Sequence, residues 1–341
     1  MWRLKARLRP ALALHFIIHL VVSLGFSWVV LSLIFRFDPV SVTAAGFLLA
    51  VVAIVIEWVL GPTLISSLLK PRWIRKEGDP VLWSLIEKEA EMMEREVSRV
   101  GIIDAKTPNA LVVSTIRGQS QLFFTRGLLA SLNYREVRSV IVWMLGASDS
   151  GFLGAATMFS GLLALSYRLT GGYIKSRIRG EGEDLRDKTA AALGYIPFAL
   201  TLSQSVRATR PMALVADERV LAHTGDPASL LTALLKVVVG TAGNLRGENR
   251  STLTPVKGLL FVDPTLALRD CKGLIKAAQS YGVETDRLLG ASQDEGGPVV
   301  GEYHVFEWFL SQPSPIERFR RAVNLGKSIR SPIKIGLAWI E

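Results

Sequence analysis

The sequence predicts an α+β protein with a helical membrane part, on three observations. Two apolar runs near its start are long enough to cross a bilayer. The polar remainder alternates segments of helical period with short β-rich stretches. Two weaker apolar runs interrupt that remainder.

The first run, Ala11 to Phe35, has no ionisable side chain except His15 and His19, and the second, Val40 to Leu69, has only Glu57. Each exceeds the roughly 20 residues needed to cross a hydrocarbon core. The first is too long for a signal peptide, and no small-residue cleavage site follows it. Arg3, Lys5, Arg7 and Arg9 precede the pair and Lys70, Arg72, Arg75 and Lys76 follow it, while the link "RFDPVS" carries Arg36 alone. Basic flanks stay cytoplasmic, so a multi-pass protein of the cell membrane is expected, its polar part facing the cytoplasm.

The weaker runs are Gly151 to Leu165 and Thr189 to Val206. Between them, Lys175, Arg177, Arg179 and Arg186 mix with Glu181, Glu183, Asp184 and Asp187. If both runs span, this basic loop lies outside, against the charge rule; a dip into the membrane is the other option. Counted as spans, they bring the hydrophobic helices to four. The expected organisation is then a membrane hairpin over 1–70, with spans at about 11–35 and 40–69, and the first part of a polar domain over 71–150. A second hairpin over 151–206 carries the charged loop 168–188. The rest of the polar domain occupies 207–327, and 328–341 is a tail.

The net charge of +10 comes with no DNA- or RNA-reading motif, and much of the excess borders the apolar runs. Membrane lipids, not nucleic acid, are the expected partner. The single Cys271 excludes an internal disulfide and a cysteine-based zinc knuckle. There is no repeat period and no low-complexity segment.

Within the polar domain, Asp79-Pro80 reads as a helix N-cap followed by proline at the first helical position. Leu82, Leu85, Ile86, Met93 and Val97 carry the helical period to about Arg99. "GII", "ALVVSTI" and "SQLFFT", separated by turn residues, predict a small antiparallel sheet. Asn133 and Glu136 form a capping box for a helix whose apolar face is Val137, Val140, Ile141, Met144 and Leu145. Asp226-Pro227 opens another helix through Val239, and Ser314-Pro315-Ile316-Glu317 opens a third. "GLLFVDPT" is strand-like at its start, and Ser292 to Glu302 is a Gly-rich surface loop.

Four ordered stretches carry a resemblance: "EWVLGPTLISSLLKPRWIRKEGDP", "TPNALVV…LFFTRGLLASLNYREVRSVIVWMLG", "LVADERVLAHTGDPASLLTALLKV", and "LLFVDP" with "SQPSPIERFRRAV". Together they resemble the HtpX-like family of integral-membrane zinc metalloproteases, from about Ala11 to Lys327. The resemblance implies a cytoplasmic zincin-like domain of the gluzincin type, anchored by the hydrophobic helices. It also implies zinc held by the two histidines of H-E-x-x-H, whose glutamate activates water. A further glutamate, first in the family's E-F-x-A-D, supplies the third ligand.

Laid onto this chain, those positions are Trp143, Met144, Ala147 and Ala213, and the histidine of the family's T-H-P-P is Gln312. Indole and methyl groups offer no lone pair to zinc, and Met144 cannot act as a base. Asp217 matches the aspartate of the A-D pair. "ASDSG" replaces a more basic run, and the link before "GIID" is shorter than the family's. The resemblance therefore implies a degenerate, catalytically inactive member with no metal and no cofactor. Such a shell would bind, regulate or scaffold in membrane-protein quality control, with a membrane-protein client or protein partner. A structural subunit of a larger membrane complex, or a metalloendopeptidase with other ligands, are the alternatives.

The candidate peptide-binding edge strand is Ser120, Gln121, Leu122, Phe123, Phe124 and Thr125. Trp143 and Met144 either fill the volume a metal would occupy or line a groove that still binds a peptide or lipid. His15 and His19, one helical turn apart, and Glu57 are read as hydrogen-bonding groups inside the bundle, with metal binding or proton transfer as the sharper options. His223 and His304 read as surface or partly buried residues. Arg318, Arg320 and Arg321 read as a solvated or membrane-proximal face.

Overall fold

The computed structural model describes residues 8–28, 38–161, 163, 205–206, 208–244, 253–281 and 312–328. The fourth apolar run (all but its last two residues), the charged loop, His304, the Gly-rich loop and the tail lie outside them.

Helix α1 (Leu8–Ser27) packs against α2 (Pro39–Leu69), with Phe16 edge-on to Phe47 at 6.2 Å between ring centroids. The Asp38 carboxylate starts α2 by accepting from the Val40 and Ser41 amides, at 3.0 Å each. Lys70, left-handed at φ 46°, closes it. At 31 residues, α2 is long and apolar enough to cross a membrane. Its surface changes along its length. Phe47, Leu48, Val52, Val55, Ile56, Trp58 and Leu60 are exposed, whereas Gly61, Pro62, Ile65 and Leu69 are buried under the polar domain. Four hydrophobic helices were expected; among the described residues α2 is the one helix that meets the criterion by itself.

After β1 (Arg72–Ile74) and α3 (Pro80–Met92) come β2 (Val97–Ile103), β3 (Ala110–Ser114) and β4 (Ser120–Thr125). Helix α3 stops earlier than its apolar period predicts. Glu94 takes the left-handed conformation at φ 54°, and Val97 enters the sheet instead. The sheet order is β1-β2-β4-β3. It is mixed where an antiparallel sheet was expected, because β4 inserts between β2 and β3 and runs parallel to β2.

Helices α4 (Arg126–Ser131) and α5 (Tyr134–Asp149) follow. The capping box is present, with Asn133 N to Glu136 Oε2 at 2.9 Å and Glu136 N to Asn133 Oδ1 at 3.0 Å. After a 93° bend comes α6 (Leu153–Gly161), the described part of the third apolar run. Helix α7 covers 208–224, and α8 (Pro227–Asn244), α9 (Pro264–Gln279) and α10 (Pro315–Ser328) complete the domain. Helix α8 packs against α5, α9 and α10, and its lone cation, Lys236, is fully buried.

Candidate functional site

Helix α5 presents the resemblance's key positions, and close packing on α7 fixes their surroundings. A Cβ on Gly146 would meet Arg219 Cβ at 2.8 Å and Ala216 Cα at 3.4 Å, so only glycine lets the two helices approach this closely. One turn on, Asp149 pairs with Arg219. Glu89 binds both Arg138 and His223, so the two helices run antiparallel, and Ala213 is buried on α7 as Trp143 is on α5.

What fills the space is apolar and closed. Trp143, Met144, Ala147 and Ala213 are each 0% exposed. The Trp143 ring meets Phe261 edge-on, 5.2 Å between centroids at 83°. The Arg318 guanidinium lies 5.5 Å from the Trp143 centroid and 5.0 Å from that of Phe261. That guanidinium is bidentate to Asp217, at 2.8 and 2.7 Å, and donates to the Phe261 carbonyl at 2.5 Å. Trp143 is thus packed on its faces and edges and does not line an open groove. Arg318 corrects the expectation of a solvated face: it is 2% exposed. Arg321 pairs with Glu218 at the surface, and Arg320 is exposed.

Gln312 is equally engaged. Its Oε1 accepts from the Asp263 amide at 3.2 Å, and its Nε2 donates to the Leu260 and Gly258 carbonyls. Asp263 in turn caps α9 through the Thr265 amide at 2.8 Å.

The metal implied by the resemblance is zinc, and the residues present do not fit it. Trp143 offers only an N–H donor, which meets no acceptor. Ala147 and Ala213 offer no donor atom, Gln312 is committed to backbone, and both Asp217 oxygens face Arg318. Among the described residues no group of three His, Cys, Asp or Glu side chains is placed to hold a metal.

The expected edge strand also needs correction. Ser120, Gln121, Leu122, Phe123, Phe124 and Thr125 form β4, which is hydrogen-bonded to β2 on one side and β3 on the other. It has no free edge for a peptide. The sheet's edge strands are β1 and β3, and the chain's own segment Leu260–Val262 lies along β3. Leu260 bridges Leu111 in antiparallel fashion, the Phe261 amide donates to the Ala110 carbonyl at 2.6 Å, and the Asn109 side chain bonds Val262 twice. Thr157 of α6 covers the end, its Oγ1 accepting from the Ser114 amide at 3.0 Å.

Two buried ionic groups escaped sequence reasoning. Glu89, fully buried, binds Arg138 Nε at 2.6 Å and His223 Nε2 at 2.8 Å, joining α3, α5 and α7. Of the two readings of His223, the partly buried one holds, and the residue is paired with Glu89. Lys236 binds Glu136 at 3.0 Å. Burial pushes the Glu136 carboxyl above its ordinary range, against the opposing effects of the Asn133 amide and Lys236. A lone lysine inside "LLTALLKVVVG" was the available signal, since a charge on an apolar face needs a partner. His15 and His19 both fall on α1, and Glu57 is half-buried on α2.

Seven curated relatives, all named Protease HtpX homolog, match at 22–27% identity. The Thermococcus kodakarensis protein is 27% identical over 183 residues, 51% of this chain and 62% of its own length. The Pyrococcus abyssi protein is 26% identical over 64% of this chain and 79% of its own length. The Methanothermobacter thermautotrophicus protein is 22% identical over 70% and 87% respectively. No family model and no solved structure matches the chain. The relatives support an HtpX-like relationship.

Proposed function

We propose that this chain is a degenerate, non-catalytic HtpX-like membrane protein that works by binding, as a regulatory or scaffold component of membrane-protein quality control. In this reading the polar domain keeps a zincin-like fold, faces the cytoplasm and hangs from a multi-pass helical anchor. One observation carries it: Trp143, which the resemblance sets at a ligand position, packs against Phe261 and beneath Arg318, whose charge is paired with Asp217. Zinc analysis of the purified chain, paired with a cleavage assay on an unfolded membrane protein, tests it. Zinc well below one per chain, with no chelator-sensitive cleavage, is expected. Stoichiometric zinc lost on changing His15 or His19, with chelator-sensitive cleavage, would overturn it.

The closed β3 edge favours a second reading, a structural subunit of a larger membrane complex. Capture by strand addition requires a free row of backbone groups, and Leu260–Val262 occupies that row. Isolation from native membranes separates the two. Stable co-purification with one assembly supports the subunit; transient capture of diverse clients supports the regulator.

A further inference from the structure

The turn between β3 and β4, Thr115–Gly118, is a surface the proposed function does not use. Three contacts fix its direction relative to α2. At the inner end of the hairpin, a Cβ on Gly101 would lie 2.9 Å from Pro71 and 3.1 Å from Phe123, so the sheet passes Pro71 at the level of Phe123. Two residues nearer the turn, Gln121 Oε1 lies 3.4 Å from Ser66 Oγ. Nearer still, Ser114, paired with Ser120, bonds Thr157, and a Cβ on Gly61 would lie 3.3 Å from the Thr157 carbonyl. Moving toward the turn therefore follows α2 backward, from Pro71 to Ser66 to Gly61.

Gly61 is where α2 changes character. Just before it, Val55, Ile56, Trp58, Val59 and Leu60 are exposed; from it onward Pro62, Ile65 and Leu69 are buried against the domain while Thr63 and Ser67 stay exposed. Two further residues of strand advance about 7 Å, or roughly four to five residues of helix, which brings the turn to about the level of Glu57, beside Trp58. Tryptophan favours the boundary between hydrocarbon and headgroups. At the tip, Ile116 is 45% exposed and Arg117 is exposed beside it.

We propose that the Thr115–Gly118 turn docks in the headgroup layer of an anionic phospholipid bilayer, Ile116 entering the acyl boundary and Arg117 meeting lipid phosphate. The chemistry is that of an interfacial anchor, an apolar side chain paired with a cation. It gives the polar domain a further attachment beside its helical anchor, holding its sheet at a fixed angle to the membrane. This rests on α2 crossing the bilayer.

The test uses the full chain reconstituted in phosphatidylcholine–phosphatidylglycerol vesicles. One environment-sensitive fluorophore is placed at Ile116→Cys, Leu48→Cys or Glu77→Cys in turn. Native Cys271 is buried, its thiol pushed up to about 11 by burial, so it stays unlabelled. Spin labels at shallow or deep acyl positions serve as quenchers. The expected result is loss of fluorescence at Ile116→Cys with the shallow quencher, at Leu48→Cys with the deep one, and at Glu77→Cys with neither. Adding Arg117→Ala lowers quenching at Ile116→Cys. Quenching at Leu48→Cys without quenching at Ile116→Cys overturns the anchor and leaves the span intact. No quenching at either position overturns the span, and the anchor with it.

Discussion

Replacing Trp143 with alanine distinguishes a packed core from a groove wall. The ring is fully buried, edge-on to Phe261 and beneath the Arg318 guanidinium. Truncating a core tryptophan costs about 3–5 kcal/mol, and the aromatic and cation contacts vanish within that figure because they belong to the same ring. At roughly 2–4 °C per kcal/mol for a domain of this size, the midpoint of unfolding should fall by about 10 °C. Cys271 supplies the assay. It is the only cysteine and is buried, so a thiol-reactive dye reports its exposure as the detergent-solubilised chain is heated at a fixed rate. Trp143→Phe keeps an aromatic edge for Phe261 and removes an indole N–H that has no acceptor, so it should lose less than half as much. A Trp143→Ala midpoint unchanged from the parent would refute the packing argument and place the ring in an open cleft.

Breaking the Arg318–Asp217 pair strands a buried charge. Arg318→Met or Asp217→Asn should each cost about 3–5 kcal/mol, and the combined Arg318→Met/Asp217→Leu variant should recover much of it, read by the same thermal assay. Glu136 predicts a pH dependence. Burial raises its value in the folded chain above the ordinary 4.5, so the folded state holds its proton to higher pH than the unfolded chain does. Its contribution is fully present below 4.5 and is lost as pH rises through the folded value. Denaturation across that window should show stability falling with rising pH, and the Glu136→Gln/Lys236→Met variant should lack that component. Gly161 tests the helix crossing on α2. A Cβ there would lie 2.6 Å from the Gly61 Cα, whereas nothing lies within 4 Å of one on Gly25. Gly161→Leu should cost about 1–3 kcal/mol or more by overpacking, while Gly25→Leu should leave the midpoint unchanged.

Local signals were legible in the sequence. Asp79, Asn133, Asp226 and Ser314 each cap the helix that follows them, because a cap is decided by a side chain and amides two or three residues away. What escaped was set by distant partners. Nothing local to "SQLFFT" says that it enters between two strands instead of bordering them; that depends on β2, more than a dozen residues earlier. Arg318 looked solvated because its neighbours Arg320 and Arg321 are, yet Asp217 lies 101 positions away. Glu89, Arg138 and His223 meet from three helices. Of the candidate site, the sequence revealed which residues stand at the positions that the resemblance singles out but not that Phe261 and Arg318 pack around Trp143.

That closure sets a limit on what the cleft can bind. One guanidinium ties α10 to Asp217 of α7, to the Phe261 carbonyl and to the Trp143 ring of α5. Opening the cleft means pulling Leu260–Val262 off β3, which moves Phe261 and exposes the buried pair. The cost is on the order of 4 kcal/mol if it resembles breaking a buried pair or an aromatic contact. A peptide that would bind an open edge at 1 μM gains about 8 kcal/mol, and subtracting the opening cost leaves about 4, close to a millimolar Kd. Weak capture of that order does not sustain a regulator, so specific partners should meet the outer surfaces: the apolar flank of α2 and the exposed Arg320 of α10. Titrating extended apolar peptides against the full chain checks this. Micromolar affinity that is lost when Leu260–Val262 is cross-linked to β3 would show that the strap opens at far lower cost than its contacts indicate.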